Sequence, residues 1–194
     1  MGISFIIPSV GRPSLDATLS SIEKWSGDEV IVVQRDPPCG NWGNQERNDG
    51  IAKATSDYLA FMDDDDIYLP GHREIMELAI SENPLRWPIL FRMQYPSGRI
   101  IWRNRELRPG NIGSPMILIP NDRDRIPQWP LHHRDADYSF LSHWGWGVAH
   151  PVFRSWKRQH INWREEVLVL LGHDDPRYES GKWREQCPVR PSQS

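Results

Sequence analysis

Three short apolar runs, residues 3–7, 29–34 and 58–62, punctuate the first third of the chain, and a stretch of helical length separates each from the next. Runs this short and this continuously apolar suit strands buried on both faces, as in a parallel sheet. After the first, Pro13 fits a first helical position, and Leu15, Leu19 and Ile22 recur on one helical face, with Trp25 extending it and Gly27 closing it. After the second comes a loop over residues 35–43 rich in Pro, Gly and Asn, then a helix predicted over residues 44–55. Strand-helix-strand-helix-strand at this spacing predicts an α/β architecture with right-handed crossovers. In such sheets ligands bind beyond the carboxyl ends of the strands. Three ends therefore converge on one crevice: residues 8–12, 34–36 and 63–66.

The third end carries four consecutive aspartates, Asp63, Asp64, Asp65 and Asp66. Carboxylates packed so closely repel one another, and a hard divalent cation, magnesium or manganese, offsets that charge and commonly carries phosphates. The competing reading is a solvated acidic loop that caps the helix beginning near Pro70. Placement at a strand end, where three such ends meet, favours the cation.

Beyond the aspartates the alternation stops. A helix is predicted over residues 70–82, with Ile75, Leu78 and Ala79 on one face. A hairpin follows over residues 88–94 and 99–103, then a strand over 116–119, a helix over 135–144 and an apolar strand over 166–171. A chain of 194 residues with 38% hydrophobic content fits a single domain, predicted over residues 1–185 with a loose tail over 186–194. The domain divides into a first half to about residue 85, built for one ligand, and a second half. The second half holds eight of the ten tryptophans, indoles that can pack a core or offer platforms for sugars.

The net charge of -3, from 23 basic and 26 acidic residues mixed along the chain, gives no field for non-specific binding to nucleic acid or membrane. Two distant cysteines, Cys39 and Cys187, support neither a disulfide framework nor a zinc site. No stretch approaches the ~20 apolar residues of a membrane span, and no basic leader precedes residue 3, so a soluble cytoplasmic protein is expected.

Four stretches together resemble the family-2 glycosyltransferases of GT-A fold: residues 5–9 with Gly11, Arg12 and Pro13; residues 30–33; residues 41–54, which include Arg47-Asn48; and residues 61–70 with the aspartates. Order and spacing agree over roughly residues 3–80. The resemblance implies a Rossmann-like nucleotide-binding mixed sheet flanked by helices, and a hexosyltransferase activity moving a sugar from a nucleotide-diphosphate donor, a UDP-sugar, to an acceptor hydroxyl. It implies that Asp65, with Asp63, ligates the manganese or magnesium ion bridging the diphosphate, and that Asp63 or Asp64 reaches the ribose. It places Pro8, Ser9, Arg12 and the helix-borne Arg47 in the nucleotide-sugar site.

The chain departs from the family where an aspartate-rich turn commonly follows the second strand. Here the sequence is Gln34-Arg35-Asp36, and either Asp36 stands in or Gln34 bonds the base edge. In the second half the resemblance implies an inverting mechanism with a general base near a helix N-terminus, which falls on Asp137 with Asp135 as the reserve. It suggests His173, after the apolar strand, as a candidate to complete the metal shell, ahead of His150 and the pair His132 and His133. Trp129, Trp144 and Trp146 are candidate platforms. The acceptor is open among glycan, protein, nucleic-acid base and small molecule. Two rivals stand beside this reading: a nucleotidyltransferase forming nucleotide sugars, for which residues 9–13 make a poor phosphate loop, and a non-catalytic nucleotide- or sugar-binding module.

Overall fold

β1 (Ile3–Ser9) is buried along its whole length because strands flank it on both sides and helices cover its faces. It pairs in parallel with β2 (Glu29–Gln34), Ile7 opposite Val32 and Ser9 opposite Gln34, and in parallel with β3 (Tyr58–Phe61), Phe5 opposite Ala60. The computed structural model describes residues 1–35, 41–131, 136–143 and 161–172. α1 (Leu15–Ser21) and α2 (Asn44–Lys53) form the two crossovers of this parallel unit.

Two glycines bring α2 close to β1. A Cβ on Gly50 would lie 2.3 Å from Ile6 Cγ2, and Gly43, in the left-handed region at φ 77°, would put one 2.7 Å from Pro8 Cβ. The first turn of α2 is thereby pinned at the carboxyl end of β1.

The sheet then becomes mixed. β7 (Ile117–Pro120) runs antiparallel to β3, β5 (Ile89–Gln94) antiparallel to β7, β8 (Asn162–Leu170) parallel to β5, and β4 (Ile67–Tyr68) antiparallel to β8. The order is β2-β1-β3-β7-β5-β8-β4, with β6 (Ile100–Ile101) pairing outside this path with β5. α3 (His72–Ser81) follows β4, and α4 (Ala136–Ser142) precedes β8 in the chain. The core joins both halves: Phe61 meets Trp129 edge-on at 5.2 Å and Phe140 at 5.7 Å. Among the described residues no helix is long and apolar enough to cross a membrane.

Several boundaries differ from those the sequence predicts. α1 ends at Ser21, so Trp25 lies outside the helix and is 46% exposed, its ring beneath the Arg73 guanidinium at 4.4 Å. Ile22 is extended, at φ -81° and ψ 110°, and ends the helix; beyond it the Asp28 carboxylate accepts from Trp25 N, Ile3 N and Arg73 Nε at 2.7–2.8 Å. Burial pushes the Asp28 carboxyl up, but these donors outweigh it and hold it below its ordinary value. α2 closes at Lys53 and not at residue 55, and β8 begins at Asn162, four residues before the predicted strand. β4 was not predicted.

Candidate active site

At the end of β3 the chain turns sharply, with Met62 N–H donating to Ile6 O and Asp66 N–H to Asp63 O. The turn spreads the four carboxylates in different directions, and each has its own set of partners, Arg12 being shared by Asp64 and Asp65. Asp64 points inward: its Oδ2 accepts from Ser9 Oγ at 2.9 Å and from Val10 N–H at 3.0 Å, while Ser14 Oγ donates to its carbonyl. Asp64 therefore locks the β1 end to the β3 end.

Asp66 is the most deeply buried, 1% exposed, and its Oδ1 accepts the Gly172 N–H at 2.6 Å from the end of β8. Burial, then the charges of Asp63 and Asp65, drive its carboxyl well above the usual range, against the pull of Gly172 N–H and Arg12. Thr18 Oγ1 donates to the Asp66 carbonyl at 2.7 Å and ties the turn to α1.

Asp63 and Asp65 face the crevice, each against an arginine. Arg12, on the loop after β1, bonds the Asp65 carboxylate and comes within 3.3 Å of Asp64 Oδ1. Arg47, from the first turns of α2, bonds the Asp63 carboxylate. Only 4% exposed, Arg47 also donates to Trp42 O at 2.7 Å and Ser114 Oγ at 3.0 Å. Two guanidiniums thus offset the acidic charge on the crevice side.

The same arginine connects the two halves of the chain. Its Cζ lies 5.0 Å over the Trp129 ring, and Trp129 stacks on Phe140 of α4 with centroids 4.2 Å apart and planes 11° from parallel. Asn48, also on α2, clamps the Trp129 backbone through both of its polar atoms, and Asn44 Nδ2 donates to Pro130 O. α4 carries Asp137 in its first turn, half-buried. Trp129 itself is 1% exposed, so it is a core residue and no sugar platform.

Pro8, Ser9, Arg12, Gln34, Arg47, Asp63, Asp64 and Asp65 therefore gather around the carboxyl ends of β1, β2 and β3. Gln34 lies against the turn after β1: a Cβ on Gly11 would come 2.9 Å from Gln34 Nε2. Asp36, Asp135, His132, His133, Trp144, Trp146, His150 and His173 lie outside the described residues. Ser114 is a site residue the sequence did not single out, and Asn48 was quoted for the resemblance without a role of its own. Ser114 arrives from a distant 3-10 turn with no local motif, and only the adjacency of Asn48 to Arg47 marks it.

The donor set suits a particular kind of cation. Among the described residues no three acidic, histidine or cysteine side chains converge as a cage. Magnesium and manganese need none when one or two carboxylates share them with phosphates. Asp63 and Asp65 offer hard oxygens on the crevice side, so the residues fit an ion that arrives with a diphosphate.

A mixed sheet whose parallel half converges on an acidic turn, with Arg47 reaching that turn from the start of α2, defines an α/β fold with its open site at the strand ends. The Glycosyl transferase family 2 profile matches residues 13–143, and the chain belongs to that family. Solved structures of S. aureus TarS share the fold. The crystal structure of TarS superposes with TM-score 0.64 at 14% identity, covering 88% of this chain and 36% of TarS. The TarS 1–349 structures in complex with UDP-GlcNAc and with UDP give TM-scores of 0.62 and 0.60 at 13% and 12% identity, covering 93% and 88% of this chain. This chain spans only 61% and 60% of those fragments.

Proposed function

We propose that this chain transfers a sugar from a UDP-sugar to an acceptor hydroxyl, with inversion at the anomeric carbon. One observation carries the reading: Arg47, Asp63 and Asp65 meet at the mouth of β3, beside the β1 end that Asp64 braces. An arginine and two carboxylates at one strand end suit a diphosphate and its counter-ion. The family supports a glycosyl donor, and the UDP-GlcNAc and UDP complexes of TarS support uridine as its nucleoside.

A magnesium or manganese ion bound with the donor, held by Asp65 and Asp63, supplies Lewis-acid neutralisation of the diphosphate. Arg47 and Arg12 orient the phosphates and stabilise the charge that grows as the bond from the anomeric carbon to the phosphate oxygen breaks. Pro8, Ser9 and Gln34 line the nucleoside end. Asp137 takes the proton from the acceptor hydroxyl as its oxygen forms the new bond on the opposite face of the sugar. The ring between the two passes through an oxocarbenium-like state. The acceptor supplies only a hydroxyl, on a glycan, protein, nucleic acid or small molecule.

Incubating the chain with UDP-sugars and manganese and following UDP release tests the proposal. Slow donor hydrolysis that needs both the metal and Asp65 supports it. Turnover only with a nucleoside triphosphate and a sugar phosphate points to nucleotide-sugar synthesis, and no turnover with any donor contradicts it.

A further inference from the structure

We infer that Glu46 reads the nucleobase of the donor by accepting the imide N–H of uracil, an assignment that rests on the nucleotide-sugar reading above. The turn after β2 opens with Gln34 and Arg35 and brings no carboxylate at those two positions. A carboxylate reaches the same strand end from the neighbouring helix.

Glu46 lies one turn after Gly43, which touches Pro8, and one turn before Gly50, which touches Ile6. Residues three and four apart share a helical face, so Glu46 faces the sheet at the level of Pro8. Its neighbour Arg47 goes to the β3 side and meets Asp63, whereas Glu46 goes to the β2 side, its Oε1 3.7 Å from Arg35 Nε. The first turns of α2 thus present a cation toward the diphosphate end and an anion toward the end where a base would lie. Glu46 is 5% exposed, and its Oε2 is buried with no hydrogen-bond partner among the described residues. A carboxylate held out of water with an acceptor unused gains from any ligand that brings an N–H.

The chemistry selects among bases. A carboxylate only accepts, while the Gln34 amide and the Arg35 guanidinium, whose Nη2 already pairs with Asp49, carry donors at the same strand end. Donors around one acceptor complement the edge of uracil, where a ring N–H sits between two carbonyl oxygens. Cytosine and adenine present a bare ring nitrogen at that position, which a carboxylate repels. Guanine shares the ring N–H but has a carbonyl on one side only.

Calorimetry in the presence of manganese decides the matter, with UDP, GDP, CDP and N3-methyl-UDP as probes against the wild type, Glu46→Gln and Glu46→Met. The methyl group of N3-methyl-UDP replaces the single hydrogen in question. The wild type is expected to bind UDP roughly tenfold or more tightly than N3-methyl-UDP, the worth of one hydrogen bond to a charged acceptor. Glu46→Gln, which keeps a neutral acceptor, should retain part of that ratio. Glu46→Met should bring it within about twofold by weakening UDP and sparing N3-methyl-UDP. A purely structural Glu46 would weaken both nucleotides together and leave the ratio intact, and that result overturns the assignment. So does a wild type that binds UDP and N3-methyl-UDP alike, or that prefers GDP or CDP, and either can be read without a folded variant. Binding of no nucleoside diphosphate at all instead removes the donor reading on which the assignment stands.

Discussion

The Arg47 guanidinium closes on the Asp63 carboxylate across the gap between the first turns of α2 and the end of β3. Sixteen residues separate the two in sequence, and the parallel β1–β3 pairing with α2 packed on β1 brings them together. If this pair receives the donor phosphates, Arg47→Met should weaken UDP binding in manganese by roughly 10- to 100-fold, as expected for a charge-assisted contact. Arg47→Lys should recover only part, since an ammonium cannot span Asp63, Ser114 and Trp42 at once. Titration of UDP into each variant is the check.

Asp64 and Asp65 should separate stability from activity. Asp64→Ala leaves the Ser9 hydroxyl and Val10 N–H without their acceptor in a closed setting, at a cost of about 2 kcal/mol, or roughly 4–8 °C in Tm. Asp65→Ala should keep Tm within about 2 °C while abolishing metal-dependent donor turnover. Thermal melts run beside UDP-release assays distinguish the pair.

Asp137→Ala should lower transfer by roughly 10²- to 10⁴-fold and leave UDP affinity unchanged, because a general base acts only as the acceptor attacks. Asp137→Asn, which keeps the shape of the α4 first turn, should show the same loss. Near-normal transfer by either variant would move the base elsewhere.

The fold should be acid-sensitive through Glu29. Burial raises the Glu29 carboxyl, but donors from Ser4 Oγ, Thr55 N–H, Thr55 Oγ1 and Ser56 N–H, all converging on Oε1, bring it down to about 2. A carboxylate depressed in the folded state stabilises above its unfolded value of 4.5 and loses that contribution as pH falls toward 2. Glu29→Gln should therefore lower Tm at pH 7 by about 2–4 °C, and the difference from wild type should shrink between pH 4.5 and pH 2. A pH series of melts for both proteins reads this directly.

The parallel half was legible in the sequence because its strands are continuous apolar runs, and the resemblance carried Arg47 and the aspartates. β8 was read short because its first residues, Asn162 to Glu165, are mostly polar. Trp163 alone of them packs into the core, edge-on against Trp102, while Arg164 pairs with Glu82 and Glu165 with Arg92 at the surface. β4 has two residues, too few for any periodicity to register. The column from Arg47 through Trp129 to Phe140 joins residues far apart in the chain, and no local pattern announces it. The resemblance set Asp65 and Asp63 at the metal and Asp63 or Asp64 at the ribose, but no local pattern tells which carboxylates turn inward. The turn itself sends Asp64 and Asp66 inward and leaves Asp63 and Asp65 toward the crevice.

The central claim is that the carboxylates at the tip of β3 hold a nucleoside diphosphate through a shared cation. Calorimetric titration of UDP into the protein, with manganese and then with excess chelator, tests it most directly. The account expects affinity at least roughly tenfold higher with the metal, and loss of that gain in Asp65→Ala. Equal affinity with and without manganese, or no binding of UDP in either condition, would contradict it.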